Sequence, residues 1–319
     1  MSKRTWTILR FAVAITIIVF LITKISVHDV VSSIISAKIE YVILALILTI
    51  LAWIVTSYRL KFFTALQGLK ISTFQAFEIN LSTLFYGLFL PGGNLTGGFI
   101  KFYKLSIKDK KLSEAFIALA LDRVFATLAL CLVGLFFWLI SSPKDLNMLA
   151  VIMIFILLGL ACFCALLFID REQRVIGWLF SLANKVYFFP KLNKLVENLS
   201  GLGKIPYRSL IFMVGISIAS QLINVVVYFL LSESINLNIP LVTIGWIRSL
   251  VMLVTIIPIS ISGMGLREGS FIILLGAYGI SEDSAFAYSI LVFAITRIFT
   301  GLLGGLFEAR ALIVNGRAS

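Results

Sequence analysis

The chain has 319 residues, 60% of them hydrophobic and only 13% charged, and a net charge of +12. Soluble domains are about 45–50% apolar and about 25% charged. With a mean hydropathy of +1.07, a soluble globular domain and a disordered chain are both excluded. The excess of Lys and Arg would point to nucleic acid on a soluble chain. On an apolar chain it belongs to cytoplasmic loops, so no nucleic-acid partner is expected.

A helix needs about 20 apolar residues to cross a bilayer. The expected fold class is therefore all-α, a single polytopic membrane domain over 1–319 with about seven or eight membrane segments. The first apolar run, 8–22, follows Lys3 and Arg4 and has no small-x-small cleavage site, so it reads as an uncleaved span. Spans follow at about 41–57, 74–90, 115–140 and 148–169, with Pro91 and then GGNLTGG closing the third run. In the basic stretch 170–209, Val175, Trp178, Leu179, Leu182 and Val186 repeat at helical spacing, and Leu192, Leu195, Val196, Leu199 and Leu202 do so again after Pro190. This predicts two cytoplasmic helices lying on the membrane surface. Spans at 207–231 and 241–257 come next, the latter ending at Pro258 and ISISGMGLREG. A short run at 269–280 and a last span at 285–307 complete the chain.

Basic residues orient these spans. Twenty fall in 1–10, 58–73, 99–114, 170–209 and the tail, against only Lys24, Lys38 and Lys144 in the opposite loops. That asymmetry places both termini in the cytoplasm and the chain in the cytoplasmic (inner) membrane. The segment 74–98 then leaves and rejoins the basic side. Likewise 241–280 leaves and rejoins the side carrying Glu233, Glu282 and Asp283. Neither can cross once, so each is expected to be a re-entrant, broken-helix hairpin, the first entering from the cytoplasm and the second from outside.

The two breaks also align by letter. Pro91 is followed at +7 by Gly98 and at +10 by Lys101; Pro258 is followed at +7 by Gly265 and at +9 and +10 by Arg267 and Glu268. Downstream, Arg123-Val124-Phe125 matches Arg297-Ile298-Phe299. The expectation is two inverted repeat halves, about 74–140 and 241–308. Opposed broken helices in such halves mark a substrate site, because irregular backbone inside a bilayer survives only where protein or water satisfies it. Gly92, Gly93, Gly97, Gly98, Gly263 and Gly265 would let the chain turn there and approach a ligand.

Seven ionisable residues fall within the spans or hairpins: Glu78, Asp122, Arg123, Arg248, Arg267, Glu268 and Arg297. Each would cost about 2.5–3.5 kcal/mol at a span centre, so they should face the interior or a wet cavity. Arginine offers a planar fork suited to phosphate or carboxylate. Arg123 and Arg297 sit roughly 12 Å and 18 Å from opposite ends of their spans and approach mid-membrane from opposite sides. The arginines are expected to face a phosphate; the alternative is internal pairing, in which Asp122 could meet Arg297 or Arg267 across the bundle but not its neighbour Arg123, since adjacent helical residues point apart. The candidate substrate-binding set is Asn94, Gly97, Gly98, Lys101, Asp122, Arg123, Pro258, Gly263, Gly265, Arg267, Glu268 and Arg297. Gly301 and Gly305 read as close helix packing.

Catalytic chemistry finds little support. Cys131, Cys162 and Cys164 lie in apolar runs and read as core thiols. His28 is the only histidine, and there is no Walker-type loop. No catalytic residue, metal or cofactor is expected.

The stretches LFYGLFLPGGNLTGGFIKFYKLS (84–106), LDRV (121–124) and IIPISISGMGLREGSF (256–271) resemble a flippase-like integral membrane family related to the transmembrane region of lysylphosphatidylglycerol synthases. The resemblance covers nearly the whole chain. The first stretch departs from the family pattern, which has an acidic residue and an Arg where this chain has Gly98 and Lys101. The resemblance implies translocation of lipids with charged head groups. In the full synthases a separate cytosolic domain transfers lysine to phosphatidylglycerol. This sequence ends twelve residues after the last span, so the expectation is that this domain is absent and that the chain is no lysyltransferase. The leading reading is a flippase for an anionic lipid, either a phospholipid or one linked to polyprenyl phosphate. Competing readings are a small-anion transporter, an enzyme acting on lipid within the membrane, and an accessory subunit for a lipid-modifying enzyme or a glycosyltransferase.

Overall fold

The structure, a computed structural model, describes residues 32, 34–90, 93–107, 111–141, 147–169, 205–256 and 263–316. The expected first span (8–22) and the expected surface helices of 170–209 lie outside the described residues, apart from 205–209. So do Pro91, Gly92 and Pro258 of the two breaks.

The described residues are all-helical. Helix α1 spans Ile39–Leu66. Helix α2, Thr73–Phe89, opens on a reciprocal cap in which Ser72 and Gln75 each accept the other's backbone N–H at 3.0 Å, satisfying two donors that a helix start leaves unpaired. Gly93, at φ 57°, starts α3, Asn94–Ser106. Next come α4, Leu112–Ser141, and α5, Asn147–Ile169. Helix α6 is Tyr207–Ser234 and α7 is Leu241–Ile256. Gly263 and Gly265, both at φ 81°, lead into α8, Leu266–Gly276. Ser281 caps α9, Glu282–Phe293, which runs through a π-helical turn, Ala294–Phe299, into α10, Thr300–Gly316.

Among the described residues, five helical stretches are long and apolar enough to cross a membrane: Ile39–Leu66, Leu112–Ser141, Met148–Ala165, Tyr207–Ser234 and Glu282–Arg310. Large apolar side chains are exposed along several described helices. Ile43, Ile47, Leu51 and Ile54 form an exposed stripe along α1, and Val151, Phe155 and Leu158 do the same on α5. Six charged residues, Arg59, Lys101, Asp122, Arg248, Arg267 and Glu268, are buried instead. This reverses the soluble pattern, in which charged side chains are almost never fully buried unless paired, and suits a lipid surround.

The core is built around α7. Every residue from Thr243 to Val251 is buried, so this helix is enclosed on all sides. It packs on α4, α6 and α8. Small residues permit the approach: a side chain at Gly245 would strike the Phe137 ring of α4, and one at Gly134 would strike Ser249 of α7. Helices α2 and α3 fold back on each other as a hairpin, with Gly97 against the Thr83 carbonyl. Helix α10 lies along α2, and any side chain at Gly304 would collide with the Leu81 carbonyl oxygen. The close packing read from Gly301 and Gly305 is present, with Gly304 the tightest point. Helices α7 and α8 also pack together across their break.

Several expectations need correction. Helix α1 does not stop near 57. It continues to Leu66, because Leu60, Phe62, Phe63 and Leu66 keep an apolar face after Tyr58. Arg59 and Lys61 therefore belong to a helix, not a loop, and Lys101 and Lys104 belong to α3. The letter alignment of the breaks does not carry into helix register. Gly265 precedes the first residue of α8, whereas Gly98 lies inside α3, whose equivalent start is Gly93. Of the cysteines only Cys131 is in the core; Cys164 is half-buried and Cys162 is exposed on α5.

Candidate functional site

Asp122 is the first centre of charge. It is 4% exposed, on the face of α4 turned toward α1 and α3. Its Oδ1 accepts from Arg59 Nε at 2.8 Å and its Oδ2 from Lys101 Nζ at 3.2 Å. One carboxylate thus serves two buried cations from two other helices. Arg297 and Arg267, the partners open to it under the pairing alternative, are not the ones it has. Successive residues on a helix are rotated by about 100°, so Asp122 faces the α1–α3 side while Arg123 turns away from it. Asn80 of α2 donates to Ser57 Oγ of α1 at 2.9 Å, a further buried polar contact between helices.

The second centre is the start of α8. The Gly265 N–H donates to Glu268 Oε2 at 2.6 Å, and Arg267 Nη2 donates to Glu268 Oε1. Adjacent residues pair here because the first turn leaves Glu268 free to fold back over unpaired backbone donors, within reach of the long Arg267 side chain. The Arg267 guanidinium also lies over the Phe293 ring at 4.2 Å, and its Nε has no hydrogen-bond partner. The positive φ at Gly265 allows this turn, as a side chain there would be strained.

Three further arginines surround these centres. Arg248 of α7 is 5% exposed and lies over the Tyr228 ring at 5.2 Å, with Nε and Nη1 lacking partners. Arg297, in the π-helical turn, is half-buried and within electrostatic reach of Arg123, Arg248 and Arg267. Arg123 is exposed, where the interior or a wet cavity was expected, and it lies within electrostatic reach of Lys101, Asp122 and Arg297. Ion pairs among the described residues leave Arg123, Arg248 and Arg297 without a carboxylate. Six cations and two carboxylates therefore form one electrostatically connected group, reaching from α3 of the first hairpin to α8 of the second.

The remaining expected site residues divide. Asn94 is the first residue of α3, Gly97 is used in packing on Thr83, and a side chain at Gly98 would enter open space. Gly263 and Gly265 form the turn before α8, while Pro258 lies outside the described residues. Glu78 is half-buried on α2 and is not a member of the ion pairs just described. Sequence reading missed Arg59, although the unbroken apolar periodicity from Leu60 to Leu66 was the signal for it. It also missed a second tie: Glu308 of α10 pairs with Lys104 of α3 and accepts the Tyr86 hydroxyl at 3.1 Å. This fastens the first hairpin to the last helix.

A family model described as the lysylphosphatidylglycerol synthase TM region matches residues 7–304, and the chain belongs to that family. No curated protein matches the chain. The match and the apolar helices identify a multi-pass helical membrane protein with a role connected to membrane lipid.

Proposed function

We propose that this member of the family moves an anionic, phosphate-bearing lipid across the membrane, with the head group passing between the two hairpins. The observation that carries this reading is the surplus of cations in the enclosed part of the protein. A buried unpaired charge costs several kcal/mol, and arginines that persist without carboxylates are readily explained by a substrate that supplies the anion. Arginine suits that task because its fork meets a phosphate through two parallel hydrogen bonds. On this reading the hairpins are re-entrant and opposed, and the chain carries no lysyl-transfer chemistry.

The test is Arg297→Met in reconstituted vesicles. Arg297 holds no carboxylate, so its loss strands no buried anion and the variant should stay folded, as judged by monodisperse gel filtration. Head-group accessibility of a labelled phosphate-bearing anionic lipid should change rapidly with the parent protein and remain near the protein-free rate with the variant. Flipping by the folded variant at the parent rate would remove Arg297 from the site. Movement of inorganic phosphate with no movement of lipid would favour small-anion transport.

A further inference from the structure

The inner part of the charged group has a definite imbalance. Arg248, Arg267 and Arg297 come from α7, α8 and the π-helical turn, and Glu268 is the only carboxylate among them in the described residues. Glu268 is already engaged, holding both the Gly265 N–H and Arg267. Arg248 and Arg297 therefore have their charges balanced by no residue described. Tyr228 adds a hydroxyl within electrostatic reach of both, and that hydroxyl has only the Met252 sulfur, at 3.8 Å, as acceptor. A thioether is a weak acceptor, so this donor is available too. Arg248 projects from the fully enclosed stretch of α7 and lies over the Tyr228 ring at 5.2 Å.

Building on the reading above, we infer that the inner group selects a doubly charged phosphomonoester head group over a singly charged phosphodiester. Three arginines against one glutamate leave two positive charges, and a phosphomonoester carries close to two negative charges at neutral pH, with a second ionisation near about 6. A phosphodiester carries one and would leave a cation buried and unmatched. Arg248 is then a specificity-determining residue. It lies within electrostatic reach of Arg297, and its permanent charge makes the space around Arg297 suit a dianion. The ligand chemistry is shared by a lipid phosphomonoester and by free inorganic phosphate.

The experiment measures binding, so that it does not depend on movement. The full-length protein in detergent is titrated with dihexanoyl phosphatidic acid, dihexanoyl phosphatidylglycerol and inorganic phosphate, with thermal stabilisation as the readout. Phosphatidic acid should bind about tenfold or more tightly than phosphatidylglycerol, the scale of one added charge-assisted contact. Arg248→Met should bring phosphatidic acid down to the phosphatidylglycerol value, and Arg248→Lys should keep most of the preference. Should Arg248→Met fail to fold, the parent protein still decides the matter by pH. Its preference should collapse as pH falls through about 6, where phosphatidic acid becomes a monoanion; phosphatidylglycerol in the same buffers controls for titration of the protein. Equal affinities in the parent protein, a preference that survives Arg248→Met, or a preference unchanged across pH 6 would each overturn the inference. Inorganic phosphate binding as tightly as phosphatidic acid would keep the dianion preference and overturn the lipid reading. Phosphatidic acid binding with the preference, in a protein that moves no lipid, would overturn only the transport reading.

Discussion

Substituting Asp122→Asn should be the most damaging isosteric change in the molecule. The side chain keeps its shape but loses its charge, and Arg59 and Lys101 then share a buried site with no counter-ion. Removing one partner of a buried pair costs about 3–5 kcal/mol, and two stranded cations put this case toward the upper end. At roughly 2–4 °C per kcal/mol, the melting temperature in detergent should fall by about 6–20 °C. Relief should come from removing the stranded charges. The triple variant Asp122→Asn, Arg59→Met, Lys101→Met replaces the ionic group with neutral side chains of similar length, and such replacements are often neutral or stabilising. Thermal unfolding by circular dichroism compares the parent, the single and the triple variant. A single variant within about 2 °C of the parent, or a triple variant as unstable as the single, would refute the claim that Asp122 is held in place by its two cations. A triple variant that is stable but inactive in lipid movement would assign Lys101 or Arg59 a role beyond stability.

Three further outcomes follow from other contacts. Gly304→Ala should force α10 away from α2 at the Leu81 carbonyl and cost about 1–3 kcal/mol, read as a lower melting temperature; Gly98→Ala, which meets nothing within 4 Å, should stay within about 0.5 kcal/mol. In a cysteine-free background, single cysteines at the exposed positions Ile107 and Glu282 should label from opposite sides of the membrane, and labelling from one side only would end the opposed-hairpin arrangement. Lys104→Met should cost less than about 1 kcal/mol, since its pair with Glu308 is partly exposed, whereas Glu308→Ala should cost more because it also strands the Tyr86 hydroxyl; melting temperatures of the two variants decide it.

The helical segments were largely legible from hydropathy alone, because each is a long apolar run and backbone groups in a bilayer must pair within their own segment. Thr73–Phe89, Leu112–Ser141, Asn147–Ile169 and Leu241–Ile256 fall within a few residues of their expected limits. Failure came where a charged residue was read as the end of a span. Arg59 was placed in a loop, yet it lies inside α1 because Asp122, 63 residues away, compensates it. A one-dimensional reading prices each charge alone and cannot see such a partner. The same limit explains why only Arg297 and Arg267 stood as candidate partners for Asp122. Gly265 shows the other limit. Its turn was expected from composition, but the helix start that it sets depends on the fold-back of Glu268, which letter matching to Gly98 could not supply. The members of the cationic group were nonetheless mostly named from sequence, since arginine deep in an apolar run is rare enough to stand out.

The π-helical turn at Ala294–Phe299 makes chain length itself a structural variable. Such a turn is an α-helix carrying one extra residue. Deleting a single residue there would restore the regular ladder and leave the flanking helices in place, because the wide turn is what absorbs the extra residue. Gly301 and Gly304 would keep their packing on α2 and Glu308 its pair with Lys104, while Arg297, inside the turn, would lose the offset that the bulge gives it. The same deletion made in the regular part of α10 would instead rotate everything beyond it by about 100°. A change of length at 294–299 would therefore strike Arg297 and spare the contact with α2, a separation that no substitution in the packed face of α10 could achieve.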